Sequence, residues 1–133
     1  MAAAVIESSP ELLNFAKRQL ANTTLVAPDN ERRSEKRIAV ALPARMQQVD
    51  SELTPIGQSF EAATRDMSVE GLGVIVDTYL VKGRRFTVTL QVDDQQPCLL
   101  VETLWCMPMG PYFYAGFRAL QALDATSAGV GSD

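Results

Sequence analysis

The stretch Phe86-Thr87-Val88-Thr89-Leu90-Gln91-Val92-Asp93 decides the fold class, because apolar and polar residues alternate through its whole length. A period of two places alternate side chains on opposite faces, as in a strand with one buried face. The polar residues 93–97 close the stretch, and Lys82-Gly83 supplies a turn before it. We therefore predict a strand that is joined to its neighbours by short turns.

Five more segments carry strand signals and are separated by Gly, Pro and polar residues. The first contains Pro43, which marks it as an edge strand or a bulged strand. Six strands with short connections and no helices between them indicate a mainly all-β chain, a small antiparallel barrel or a sandwich. The five further strands are predicted at residues 38–46, 58–65, 72–77, 98–107 and 112–119.

A short amphipathic helix is predicted before the strands, at about residues 10–20. Ser9 suits the N-cap, Pro10 the first helical position, and Glu11 the positive end of the helix dipole. Two interpretations remain open: a docking element for the domain or a partner, and an extension that rests on the barrel. The apolar face contains Leu13, Ala16 and Leu20, with Leu12 and Phe15 beside it.

Composition limits the chemistry of this 133-residue chain, which has a net charge of −4 and no histidine. The absence of histidine removes Ser-His-Asp and Cys-His catalysis and the commonest zinc ligand. There is also no Cys-x-x-Cys, Walker A or Gly-x-Gly-x-x-Gly motif. We predict a protein that is not an enzyme and has no cofactor or metal. Residues 1–6 are too short for a signal sequence and no apolar run is long enough to span a membrane, so we expect a cytoplasmic protein.

Three side chains of the fifth predicted strand receive structural interpretations. Cys98 and Cys106 are eight residues apart on one strand, about 26 Å at the usual rise, which is too far for a disulfide. We predict that both are buried apolar fillers. Trp105 alternates with Val101 and Thr103, and we predict core packing for it in preference to ligand proximity.

A cluster of positive charge, Arg32-Arg33-Ser34-Glu35-Lys36-Arg37, stands directly before the first strand. It holds four of the twelve basic residues of an acidic protein, which points to a small anionic partner. Arginine binds phosphate or a guanine edge through two parallel hydrogen bonds, and its flat face stacks on a purine. The cluster is therefore suited to a ligand that has both phosphates and guanines.

A second motif, Asp66-Met67-Ser68-Val69-Glu70-Gly71, follows the second strand. Asp66 offers a carboxylate to the paired N–H groups of guanine, Ser68 a hydroxyl to phosphate or to the turn, and Gly71 permits close approach or positive φ. If the first two strands pair as a hairpin, residues 29 positions apart, Arg37 and Asp66, meet at one end. Each motif alone is more common in solvated loops and turns.

Together the motifs resemble the PilZ domain family. Residues 33–37 match its Arg-x-x-x-Arg motif, residues 66–71 match its Asp/Asn-x-Ser-x-x-Gly motif, and Ala115-Gly116-Phe117 is similar to its closing pattern. The resemblance covers residues 31–120 and implies a six-stranded antiparallel β-barrel that binds the bacterial second messenger cyclic di-GMP. With the patterns at the two ends of the chain, we predict three parts: an N-terminal extension, 1–30, with a helix and a linker; the barrel, 31–123; and a disordered tail of small and polar residues, 124–133.

The resemblance also assigns the site. Arg33 and Arg37 become the primary ligand contacts, and Arg32, just before the motif, favours a stacked pair of ligands over one. Asp66 and Ser68 contact the ligand from the barrel, Gly71 forms a tight turn, and Gly73 is a neighbour. The implied ligand-binding residues are Arg32, Arg33, Arg37, Asp66, Ser68, Gly71 and Gly73.

The implied function is a cyclic di-GMP receptor or adaptor. Our hypothesis for its mechanism is that the arginine-rich loop becomes ordered on ligand binding and that the signal is relayed to a protein of motility, polymer secretion or adhesion. The alternative is a PilZ-like interaction barrel that binds no nucleotide. A single-stranded nucleic-acid barrel is opposed by the net charge of −4. We expect no nucleic acid partner and no membrane insertion, and we leave a homodimer through the helix open.

Overall fold

The computed structural model of the chain describes residues 5–21 and 38–123. The predicted linker, the arginine cluster and the predicted tail lie outside these residues. The elements are α1 (Pro10–Ala21), β1 (Ile38–Ala39), β2 (Pro43–Val49), β3 (Pro55–Met67), β4 (Gly71–Val76), β5 (Arg85–Leu90), β6 (Cys98–Met109) and β7 (Tyr112–Leu123).

The strands form one closed antiparallel sheet. The sheet runs β3-β2-β5-β6-β7-β4, and β4 pairs with β3 to close it. The predicted six-stranded antiparallel barrel with a short helix is confirmed, and closure decides against the sandwich. The interior is packed with apolar side chains that include Met46, Leu72, Val74, Phe86, Val88, Leu90, Val101 and Phe117.

The predicted first strand is interrupted. β1 and β2 both pair with β3, and the break between them, residues 40–42, is bridged by the side chain of Thr64. The Thr64 hydroxyl accepts a hydrogen bond from the Leu42 N–H (2.8 Å) and donates one to the Val40 carbonyl. Pro43 is the first residue of β2, a position that suits proline because it has no N–H group to donate to a neighbouring strand. On the N-terminal side of the break, β1 therefore still pairs with β3, at the end of β3 that carries the second motif.

Two strands, β3 and β7, extend beyond a predicted end through exposed side chains. The predicted loop 50–57 is a turn at residues 50–54, in which the Asp50 carboxylate accepts N–H groups of Glu52 and Thr54 (2.8 and 2.9 Å). β3 begins at Pro55, but its first five residues are all exposed, so no burial alternation marks them. β7 likewise continues to Leu123 through mostly exposed positions. An alternation of buried and exposed residues marks a strand only where one of its faces packs against the core, so it does not show where an exposed strand segment begins or ends.

The helix α1 rests on the outer face of the barrel. Its Leu12, Phe15 and Ala16 are buried against Ala63 of β3 and Ile75 of β4. Among the described residues no helix is long and apolar enough to cross a membrane. The chain before the helix is fixed by hydrogen bonds from the Ile6 N–H to the Gln91 side chain, the Ser8 hydroxyl to the Ala62 carbonyl, and the Ser9 N–H to the Glu61 carboxylate.

Candidate functional site

The second motif forms the tight connection between β3 and β4. The Ser68 N–H donates to the Gly71 carbonyl (2.8 Å), and the Ser68 hydroxyl accepts the Glu70 N–H (3.2 Å). Of the two roles predicted for this hydroxyl, the geometry shows the one within the turn. The turn fixes where β3 ends, and thereby the position of Asp66.

Gly71 lies where β4 meets β7. A Cβ at this position would overlap the carbonyl oxygen of Phe117 and approach the Arg118 Cα to 3.4 Å. Gly71 is not among the positive-φ glycines, Gly57, Gly83 and Gly110. The requirement for glycine here is close approach of two backbones, one of the two reasons that the sequence offered.

A row of paired residues crosses the outer face of four strands. Asp66 of β3 is opposite Gly73 of β4, Gly73 is opposite Gly116 of β7, and Gly116 is opposite Trp105 of β6. The glycines leave room for two rings. A Cβ on Gly73 would lie 2.7 Å from the Tyr114 hydroxyl oxygen, and one on Gly116 would lie 2.8 Å from Nε1 of Trp105.

The two rings over these glycines, Tyr114 and Trp105, form what we call the aromatic face. Their centroids are 5.0 Å apart and their planes are tilted by 76°. Tyr114 is partly buried, whereas 42% of Trp105 is exposed. An aromatic surface of this kind can stack a planar base, and the neighbouring carboxylate can accept hydrogen bonds from the N–H groups of that base.

The prediction that Trp105 packs in the core is wrong. Thr103 is opposite Phe117 and Trp105 is opposite the next residue, Gly116, so Leu104 is an extra residue on β6. Such a bulge reverses the alternation beyond it. Thr103 therefore points inward, at 1% exposure, and Trp105 points outward. The two cysteines are free and only partly buried, which differs from the prediction that both are buried, although Cys106 packs against the core.

Asp66 is 9% exposed and belongs to a polar network. Its carboxylate accepts the hydrogen bond of the Tyr114 hydroxyl, and its Oδ2 lies 3.4 Å from Nη1 of Arg65. Arg65 also donates to the Tyr114 oxygen (3.0 Å), with its guanidinium 4.7 Å from the centre of the Tyr114 ring. The carboxylate is thus held in one position by two neighbours.

Sequence reasoning missed Arg65. Strict alternation places Arg65 and Asp66 on opposite faces of β3, but the register shifts between Thr64 and Asp66, and the two side chains meet. The sequence analysis also did not identify Tyr114 as a site residue. Its position could have indicated this, because it directly precedes Ala115-Gly116-Phe117, which resembles the closing pattern of the family.

The environment of Tyr114 favours its neutral form. Burial raises the pKa of the Tyr114 phenol to about 12, the hydrogen bond and charge of Asp66 act in the same direction, and Arg65 opposes them. The hydroxyl therefore keeps its proton at neutral pH and remains a donor to Asp66. No group of three or more His, Cys, Asp or Glu side chains within residues 5–21 and 38–123 is arranged to hold a metal ion.

The seven predicted ligand-binding residues divide into two groups. Asp66, Ser68, Gly71 and Gly73 lie together at the β3–β4 connection. Arg32, Arg33 and Arg37 lie outside the described residues. β1 pairs with β3 in the antiparallel direction, as predicted, and Ile38, the residue after Arg37, is opposite Met67. The described chain therefore enters the barrel beside Asp66. The ligand-binding roles of all seven residues stay predictions.

Comparison with known proteins finds a family model and solved structures that match the chain. A family model of the PilZ domain matches residues 31–127. Among solved structures, the chain is similar to the PilZ domain of YcgR from Escherichia coli with c-di-GMP, at 18% identity and a TM-score of 0.50, over 67% of this chain and 78% of that one. No curated protein matches the sequence. Because the family model spans well over half of the residues, the chain belongs to the PilZ domain family.

Proposed function

We propose that this protein is a receptor for cyclic di-GMP. One observation carries the proposal: a fixed carboxylate, Asp66, borders the aromatic face at the point where the chain enters the barrel from the Arg-x-x-x-Arg motif. The solved PilZ domain of YcgR is described with c-di-GMP, and this chain spans 78% of it.

Each part of the ligand has a partner of suitable chemistry. Asp66 accepts the N–H groups of a guanine edge, and the aromatic face stacks a guanine ring. Arg33 and Arg37 bind the phosphates and the second guanine through their forked donors. Arg32 supplies a third guanidinium, which favours a stacked pair of ligands.

The proposed output is an ordering of the arginine cluster. Without ligand, the positive charges of Arg32, Arg33, Lys36 and Arg37 repel one another, and the negative charges of the bound phosphates reduce this repulsion. Charge-assisted hydrogen bonds of about 1.5–3 kcal/mol each outweigh the ordering of a few residues at about 1–2 kcal/mol apiece. The ordered segment then changes the surface offered to a protein of motility, polymer secretion or adhesion. In this proposal the chain is cytoplasmic and not an enzyme.

Filter binding tests this function against its alternatives. We expect retention of labelled cyclic di-GMP, with no competition from equimolar GMP or from a single-stranded oligonucleotide. Asp66→Ala should weaken binding by about 10-fold or more, since one charge-assisted contact of about 1.4 kcal/mol or more is lost. Asp94→Ala, on an exposed turn, is the matched control and should bind normally.

Other results would favour other functions. Retention of the oligonucleotide alone would indicate a nucleic-acid barrel. Retention of neither ligand by a folded chain would favour the interaction barrel without nucleotide.

A further inference from the structure

We propose that Tyr114 is a positioning residue that couples the docking of helix α1 to ligand affinity at Asp66. This inference rests on the proposed function and deepens it, because it names a residue that links the site to the N-terminal extension.

On the side of the site, Tyr114 fixes the Asp66 carboxylate. Its hydroxyl donates to the carboxylate and accepts from Nη1 of Arg65 (3.0 Å). The ring is confined because it lies over Gly73, and its centre is 5.0 Å from the Trp105 ring and 4.7 Å from the Arg65 guanidinium. A tyrosine held in this way orients Asp66 before any ligand arrives.

On the side of the helix, the same ring packs against the cluster that anchors α1. That cluster contains three helix residues and two barrel residues: Leu12, Phe15, Ala16, Ala63 and Ile75. Phe15 also lies 5.0 Å from Tyr112, which stands two residues before Tyr114 on β7. Movement of the helix therefore changes the packing of the strand and ring that hold Asp66.

The coupling has a definite sign. A docked helix keeps Tyr114 in place, Tyr114 keeps Asp66 in place, and a preorganised carboxylate binds its ligand more tightly. By linkage, bound ligand must then stabilise the docked helix by the same factor. A partner that pulls α1 from the barrel would lower ligand affinity, and ligand would oppose that partner.

A double-mutant cycle measures this coupling in the full chain. Tyr114→Phe keeps the ring and removes the donor, and we expect cyclic di-GMP affinity to fall about 10-fold, because the Asp66 carboxylate is no longer preorganised for the ligand. Phe15→Ala loosens the helix and should weaken binding about 5-fold, a coupling within the usual range. In the Tyr114→Phe background, Phe15→Ala should have little further effect. Val88→Ala, a core substitution on β5, controls for lost stability and should leave affinity unchanged.

A milder variant covers the case in which Phe15→Ala fails to fold. Glu61→Ala removes the acceptor of the Ser9 N–H at the start of α1 and should weaken binding in the same direction by a smaller factor. Additive effects of Phe15 and Tyr114 substitutions, or unchanged affinity in Tyr114→Phe, would overturn the coupling. Tighter binding by Tyr114→Phe would also overturn it, because the hydroxyl would then be a competitor of the ligand.

A ligand-free measurement separates this inference from the proposed function. Ultraviolet titration should show the raised pKa of Tyr114 in the wild-type chain and a lower one in both Phe15→Ala and Asp66→Asn. If the chain binds no cyclic di-GMP but the Phe15 change lowers this pKa, the proposed function fails and the helix-to-Tyr114 link stands. A pKa that is insensitive to Phe15→Ala removes the link whatever the ligand does.

Discussion

Gly71→Ala is expected to prevent normal closure of the barrel. The added Cβ would overlap the Phe117 carbonyl oxygen, a backbone atom that cannot rotate away, so β4 and β7 would have to separate. The adjacent hydrogen bond from the Ala119 N–H to the Glu70 carbonyl (2.8 Å) would be strained with them. We expect a loss of about 3 kcal/mol or more in the free energy of unfolding, or an insoluble chain, as measured by urea denaturation.

The matched control is Gly83→Ala. Gly83 has a φ of +90°, and a Cβ added to it would have no neighbouring atom within 4 Å, so alanine meets backbone strain without a clash. Such strain costs about 1–2 kcal/mol. Equal losses for both substitutions would contradict the assignment of Gly71 to close strand approach.

Arg33→Ala and Arg37→Ala are each expected to abolish measurable cyclic di-GMP binding in titration calorimetry while the barrel stays folded. In the proposed binding mode, each change would remove two parallel hydrogen bonds to a charged group and a stacking surface. At about 1.5–3 kcal/mol per bond, the loss amounts to about 100-fold or more in affinity. Both residues precede the first strand in sequence, so circular dichroism and thermal unfolding should change little.

Three further variants separate geometry from charge. Arg33→Lys keeps the charge but loses the planar fork, and it should bind far more weakly than the wild type. Lys36→Ala, inside the motif, and Arg45→Ala, an exposed residue of β2, remove one positive charge each and should bind within a few-fold of the wild type. Comparable losses in the four alanine variants, together with wild-type binding by Arg33→Lys, would show a general electrostatic effect in place of a built site.

The barrel was predictable from sequence because its core strands obey a period of two. Phe86, Val88 and Leu90 of β5 all point inward. The extent of some strands was missed, because exposed residues such as those at the start of β3 leave no pattern of burial. The break after β1 was also foreseeable, since Pro43 signals an irregular strand.

The candidate site was half predictable. Asp66 and Gly71 came from the motif, whereas Arg65 and Trp105 reached the same face through register shifts in β3 and β6. A bulge depends on how one strand fits its partner in space, and the sequence of one strand alone does not encode it visibly. The contact of Tyr114 with the helix cluster depends on tertiary packing in the same way.

Trp105 offers the most direct measurement of the central claim, that cyclic di-GMP binds on the aromatic face beside Asp66. It is the single tryptophan of the chain and is 42% exposed on that face. Titration with cyclic di-GMP should change its fluorescence in a saturable manner in the wild-type chain, and Asp66→Asn should shift the curve to about 10-fold higher ligand concentration or beyond. A fluorescence signal unaffected by cyclic di-GMP, in a chain that calorimetry also shows to bind none, would contradict the account.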